Sequence, residues 1–275
     1  MDMRLRKIWI YPLAAVCLAL IPAVAAAQPV QHYEPHVGQH GKDVIWVPTP
    51  QALVDKMLDM AKVGLGDYVV DLGSGDGRTV ITAAKRGATA LGIEYNPDMV
   101  ELSKRNATKA GLADKASFAR ADIFASDFSK ATVVTLFLLP SLNLKLRPTI
   151  LSMVPGTRVV SNSFDMADWT PDETAHVTDD CSGYCQAYLW IVPAKVGGNW
   201  RLGSGELTLQ QSYQFLTGML TSGTVVAPIK DGRLNGDRIS FSVGETRYTG
   251  QVKGEAMQGT SVAGGAETKW HAARK

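Results

Sequence analysis

Between residues 44 and 193, short apolar runs alternate with stretches whose apolar positions recur every three or four residues. The first pattern marks buried strands and the second marks amphipathic helices. Thr49 can cap a helix with Pro50 at its first position, and Leu53, Met57, Leu58 and Ala61 then fall on one face. Tyr68-Val69-Val70-Asp71-Leu72 reads as a buried strand, followed by a glycine-rich turn and a helix over 78–86 that Gly87 stops. A second strand spans 89–94. Asn96 caps the next helix, with Pro97 at its first position, and Gly111 closes it. Strands are expected over 117–121 and 132–138, the latter apolar almost throughout, as a strand covered on both faces should be. A helix over 141–153, a strand over 157–163 and a hairpin of 176–178 with 186–192 complete the series. Alternating strands and helices predict an α/β domain over 44–195, a parallel sheet with helices on both faces.

The rhythm changes near Pro193. Gly197-Gly198 marks a boundary, and Ile239, Phe241 and Val243 then alternate with Arg238, Ser240 and Ser242, as in a half-buried strand. Asp231-Gly232 and Asn235-Gly236 are turn signals. Residues 196–275 are therefore expected to form a small antiparallel β domain, folding on its own and carrying no cluster of catalytic residue types.

The opposite end has the anatomy of a secretory leader. A basic Met1–Lys7, an apolar Ile8–Val24 and Ala25-Ala26-Ala27 predict a signal peptide over 1–27 with Gln28 as the mature N-terminus, and hence a periplasmic protein. An uncleaved anchor in the inner membrane is the alternative, because the apolar stretch approaches a minimal span; membrane contact is expected only then. Residues 28–43 are polar and expected to be flexible. His32, His36 and His40 recur every fourth residue, but Pro35, Gly38 and Gly41 oppose the helix that would align them, so no metal site is expected. Beyond Cys17 of the leader only Cys181 and Cys185 remain, and Gly183 between them permits the tight turn a disulfide would need. With 275 residues, 45% of them apolar, the chain can bury one sizeable core and a smaller one. A net charge of +2 without a basic run gives no sign of a nucleic-acid partner.

The chemistry concentrates at the strand ends. Val70-Asp71-Leu72-Gly73-Ser74-Gly75-Asp76-Gly77-Arg78 lies where a strand gives way to a helix. Glycines let the backbone pass close beneath a ligand, and the helix N-terminus attracts an anionic group. The spacing is G-x-G-x-G, not the G-x-G-x-x-G of dinucleotide folds, and with Asp71 and Asp76 it suits a zwitterionic sulfonium better than a pyrophosphate. Glu94 ends the second strand, where a carboxylate can accept both ribose hydroxyls. Asp122 follows the third strand and can accept from an adenine amino group, with Ile123 packing on the ring. Together these residues point to S-adenosylmethionine (SAM), bound outside the carboxyl ends of the strands. Asn143 and Ser141, after the fourth strand, are candidates to orient a nucleophile, although Ser141 also reads as a helix cap. Asp165 is the candidate base.

Three segments carry a family resemblance: Trp46-Val47-Pro48-Thr49, the Asp71–Arg78 run and Gly92-Ile93-Glu94-Tyr95-Asn96-Pro97. They resemble the ATP synthase c-subunit lysine methyltransferase family, and more closely still uncharacterised bacterial class I methyltransferases with a leader peptide. The resemblance covers about residues 44–193. It implies SAM-dependent methyl transfer to a protein lysine or a small molecule, and a lid role for Trp46 and Thr49. Lysine-methylating members place an aromatic- and proline-rich segment after the fifth strand; here stands Ser163-Phe164-Asp165-Met166-Ala167-Asp168-Trp169, with Phe164, Asp165 and Trp169 where an acceptor would dock. The β-rich C-terminus has no counterpart in those enzymes. Two alternatives stay open on sequence grounds: an exported, non-catalytic SAM-type binding module, and a NAD-dependent oxidoreductase, which the glycine spacing disfavours.

Overall fold

The computed structural model describes residues 33–275. The leader, the expected N-terminus at Gln28 and His32 lie outside the described residues.

The first half is a seven-stranded mixed sheet, built from β1 (Tyr68–Leu72), β2 (Thr89–Glu94), β3 (Ala116–Arg120), β4 (Val133–Leu136), β5 (Arg158–Asn162), β6 (Glu173–His176) and β7 (Gln186–Ile191), in the order β3-β2-β1-β4-β5-β7-β6. The first five run parallel; β7 lies antiparallel between β5 and β6. Successive residues of a strand point to opposite faces, so Val69 and Val70 enter different cores. One face packs α1 (Gln51–Met60), α2 (Arg78–Lys85) and α3 (Pro97–Lys109) against Val69, Ala90, Val133 and Val160. The other packs Leu146 and Ile150 of α4 (Pro140–Ile150), with Met166 and Trp169, against Val70, Val134, Val159 and Trp190.

Two expected boundaries shift in ways that matter for the site. β4 stops at Leu136, two residues earlier than the apolar run implies, so Phe137 and Leu138 continue as loop. α4 begins at Pro140 without a side-chain cap, and Ser141 is exposed.

Residues 33–47, expected to be flexible up to 43, fold back on themselves instead. Gly38 N donates to Trp46 O and Trp46 N to Gln39 O, both at 2.9 Å, and Gly41 N closes the tip on Val44 O at 2.9 Å. Pro35, Gly38 and Gly41 do exclude a helix, but backbone hydrogen bonds close a compact flap without one. Cys181 and Cys185 are joined by a disulfide, with Cα atoms 5.8 Å apart.

The second half is a closed antiparallel barrel of eight strands: β8 (Gly198–Leu202), β9 (Gly205–Ser212), β10 (Phe215–Ser222), β11 (Val225–Asn235), β12 (Arg238–Val243), β13 (Thr246–Lys253), β14 (Ala256–Ala263) and β15 (Ala266–Arg274). Each pairs with the next, and β15 returns to β8, which removes both free edges. Trp200, Leu207, Phe241, Met257 and Trp270 fill its core.

The barrel is a separate closed sheet, and it docks on the first half through a polar seam near Gly197-Gly198. The β9–β10 turn inserts Gln214, fully buried, into the first half. Trp169 Nε1 donates to Gln214 Oε1 at 3.1 Å, and Gln214 Nε2 donates to Thr170 O at 2.7 Å. The Tyr213 ring stacks on Trp169 with centroids 5.8 Å apart, and its hydroxyl donates to Asp168 at 2.8 Å. Arg233 pairs with Asp172 at 2.7 Å, and Arg274 donates to Gly197 O at 2.7 Å, pinning the supposed hinge. Residues 33–275 thus form one compact unit.

Candidate active site

A cavity of about 530 Å³ opens at the carboxyl ends of the parallel strands. Asp71 sits there because the register of β1 fixes its neighbours: Gly92 on one side and Thr135 on the other. The Thr135 hydroxyl donates to Asp71 Oδ1 at 2.5 Å. Asp71 is 7% exposed, and burial pushes its carboxyl up to about 7; the Thr135 hydrogen bond opposes that shift, and the nearby Glu94 and Asp76 carboxylates add to it.

The glycine turn that follows is tied down on three sides. Gly73 N and Ser74 N donate to Ile93 O at 2.8 and 3.1 Å. Gly75 N donates to Glu94 Oε2 at 3.0 Å, and Ser103 Oγ donates to Gly75 O at 2.8 Å. Gly75 has φ 53°, and a Cβ there would stand 2.7 Å from Trp46 Nε1, so only glycine lets Trp46 approach. Asp76 receives Arg78 through both carboxylate oxygens, and Arg78 Nη1 donates to Thr49 O at 2.9 Å, linking the turn to the segment before α1. Thr49 Oγ1 in turn accepts from Asn162 Nδ2 at 3.2 Å.

Glu94 Oε1 also accepts from Asn96 N at 2.9 Å, which fixes the carboxylate at the end of β2. Asp122, beyond β3, meets Lys42 of the flap at 2.7 Å and accepts from Phe124 N at 2.9 Å. Lys42 Nζ stands 4.7 Å from the Tyr95 ring centroid, so one lysine ties the flap to two strand ends. The cavity's far end, past β4 and β5, is lined by Phe137, Leu138, Leu139, Leu142, Phe164 and Tyr184.

Trp46, Thr49, Asp71, Gly73, Ser74, Gly75, Asp76, Glu94, Asp122 and Ile123 all line this one cavity, together with Phe164. The residues expected to act on the acceptor do not. Asn143 is fully buried, and its Nδ2 donates to Phe164 O and Asp165 O, each at 3.1 Å. It positions the loop after β5 and is not among the residues lining the cavity. Asp165 is exposed, is not among the residues lining the cavity, and accepts from Ala167 N at 3.1 Å, closing a turn. Trp169 is fully buried in the barrel seam and offers the acceptor nothing. Sequence reasoning missed the flap residues Gln39–Val44, Phe137 and Tyr184. Phe137 was hidden in an apolar run, and Tyr184 lies between the two cysteines with no motif of its own.

The residues fit SAM on grounds independent of any motif. Ser74 Oγ is buried in the cavity wall without a hydrogen-bond partner in the protein, which a polar ligand atom would satisfy. The glycine cradle and the carboxylates at three neighbouring strand ends match a ligand that carries an ammonium, a ribose and an amino-bearing ring.

Comparison with known proteins agrees. The ANTKMT methyltransferase domain family model matches residues 71–173. The protein-lysine N-methyltransferase of Saccharolobus islandicus (strain REY15A) is 40% identical over 163 residues, covering 58% of this chain and 96% of the relative. The human ATP synthase c-subunit lysine N-methyltransferase is 35% identical over 136 residues, but the match spans only 57% of that protein and 49% of this one. An RNA methyltransferase from Salinibacter ruber, solved with S-adenosyl-L-homocysteine, shares 49% identity with a TM-score of 0.51, covering 55% of this chain and 96% of that one. With the glycine cradle, the strand-end carboxylates and near-complete coverage of two such relatives in agreement, the chain belongs to the class I SAM-dependent methyltransferases.

Proposed function

We propose that this methyltransferase acts on the lysine ε-amine of a protein. The observation that carries the reading is the far end of the cavity, where Phe137, Phe164 and Tyr184 stand with ring centroids 5.3–6.2 Å apart. Three aromatic faces suit an aliphatic chain ending in a cation. Relatives named as lysine methyltransferases support the same choice. The Salinibacter ruber protein is described as an RNA methyltransferase, so relatives alone do not decide. Charge favours the amine: five carboxylates line the cavity against two cations, Lys42 and Arg78, a field that repels phosphates.

SAM would supply an electrophilic methyl group on a sulfonium. The chain's own residues bind and orient. Asp71 and Ser74 would hold the amino-acid end, Glu94 the ribose, and Asp122 with Ile123 the adenine. Trp46 and Thr49 cover the glycine cradle, and the flap excludes water. Orientation of this kind is worth up to roughly 7–11 kcal/mol in favourable reactions. The acceptor amine must lose its proton before attack. Neither Asp165 nor Asn143 lines the cavity, and an amine that arrives already neutral needs no protein base.

Incubating the protein with methyl-labelled SAM and a cell lysate tests the acceptor. Label released by protease and co-migrating with methylated lysine after acid hydrolysis is the expected result. Label released by ribonuclease, or found in small acid-soluble molecules, would overturn the lysine reading.

The raised Asp71 carboxyl adds a pH dependence. Below about 7 that group is protonated in the ligand-free protein and cannot meet an ammonium as a carboxylate. Affinity for SAM should therefore rise with pH through about 7 and level off above it, with a proton released on binding at lower pH. Calorimetry in buffers of different ionisation enthalpy reads both. An affinity that is flat or falls over this range would contradict the assignment.

A further inference from the structure

We infer that Tyr184 is a specificity-determining wall of the acceptor channel and that the Cys181–Cys185 disulfide holds it there. The inference rests on the lysine reading for the chemistry of the acceptor, and on geometry for everything else.

Tyr184 belongs to the loop between β6 and β7, and the disulfide closes the five residues Cys181-Ser182-Gly183-Tyr184-Cys185 into a ring. That ring is the only covalent cross-link among the described residues. Tyr184 has φ 57°, and Asp180, just before the ring, has φ 53°. Left-handed backbone is disfavoured for a non-glycine residue and persists only where the surroundings impose it. In this short loop at the sheet edge, the bridge constrains the backbone on both sides of Tyr184. The consequence is a half-exposed aromatic ring turned onto the cavity. Its centroid lies 5.3 Å from Phe137 in an edge-on arrangement and 6.0 Å from Phe164.

Those two partners are held by other means. Phe137 leaves β4 directly, and the Phe164 carbonyl is gripped by Asn143 Nδ2 at 3.1 Å and Ser161 Oγ at 2.7 Å. Two walls are therefore fixed by the sheet and one by a bond that reduction breaks. The three rings lie beyond β4 and β5, across β1 from Glu94 and Asp122, so losing Tyr184 should weaken the acceptor's grip and leave the SAM-binding end intact.

The test uses the full chain and three probes: S-adenosylhomocysteine, an analogue in which the sulfur is replaced by nitrogen bearing an aminoethyl arm, and the same analogue with a propyl arm. Calorimetry compares wild type, Tyr184→Ala, Tyr184→Phe and the Cys181→Ser/Cys185→Ser double variant; non-reducing mass spectrometry confirms the bridge in the first three. S-adenosylhomocysteine should bind all four alike, which also shows that they are folded. The aminoethyl arm should improve affinity by about tenfold in wild type and Tyr184→Phe. Tyr184→Ala and the double serine variant should lose most of that gain.

Retention of the full gain in both weakened variants would overturn the inference, as would the absence of any gain in wild type. Loss in Tyr184→Ala alone would keep the wall and refute the tether. A propyl arm that gains as much as the aminoethyl arm, and loses it in the same variants, would uphold wall and tether while refuting the lysine reading.

Discussion

Asp71→Ala and Glu94→Ala should each weaken SAM binding by roughly ten- to a hundredfold while leaving the fold intact, because each removes a charge-assisted acceptor from a desolvated ligand group. Glu94 also receives Gly75 N and Asn96 N, so its loss loosens the cradle as well as the ribose contact. Glu94→Gln keeps an acceptor oxygen and should fall between wild type and alanine. Asp122→Ala should cost less, since its carboxylate is a third exposed and already paired with Lys42. Asp165→Asn should leave both SAM affinity and turnover unchanged, in keeping with its exposed position outside the cavity. Calorimetry and methyl-transfer rates on the same preparations check all of these. Alanine variants of Asp71 and Glu94 that bind within about twofold of wild type would mean the ligand lies elsewhere.

The second large effect concerns stability. Trp169→Ala should destabilise the protein by roughly 3–5 kcal/mol, the usual range for deleting a buried large aromatic side chain. Three losses combine: a side chain with no exposed surface, its stacking on Tyr213, and the donor that satisfies Gln214 Oε1 inside the seam. Wild type should unfold in urea as one transition, because Tyr213 and the buried Gln214 of the barrel pack into the core of the first half. Two separate transitions in wild type, or a loss below about 1 kcal/mol in the variant, would return the barrel to the status of an independent domain.

What could be read from the sequence was what local periodicity and strand-end chemistry encode. The apolar runs around Val69-Val70 and Val159-Val160 located the central strands, and Asp71, Glu94 and Asp122 were legible because each sits at or just beyond the carboxyl end of its strand. The residues that went wrong depend on contacts remote in the chain. Asn143 and Asp165 carried polar groups near the expected acceptor, but the direction of the loop after β5 is set by a buried amide gripping two carbonyls, which no spacing rule reveals. Trp169 looked like an acceptor contact until Gln214, forty-five residues on, claimed its indole nitrogen. The barrel strands showed themselves through Asn235-Gly236 and the alternation that follows, whereas closure of β15 on β8 is a pairing between the ends of the domain. The flap escaped notice because proline and glycine speak against a helix and say nothing of a hairpin held by backbone hydrogen bonds.

The charge lining the cavity has a consequence for what the enzyme does after each turnover. Asp43, Asp71, Asp76, Glu94 and Asp122 face Lys42 and Arg78, so the cavity is a net anionic sink. The methyl donor enters with a positive sulfonium, and the spent product leaves without it. Electrostatics therefore separates fresh donor from exhausted donor where shape hardly can, since the two differ by one methyl group. The preference for charged donor over neutral product is carried by charge, so it should fade as ionic strength rises.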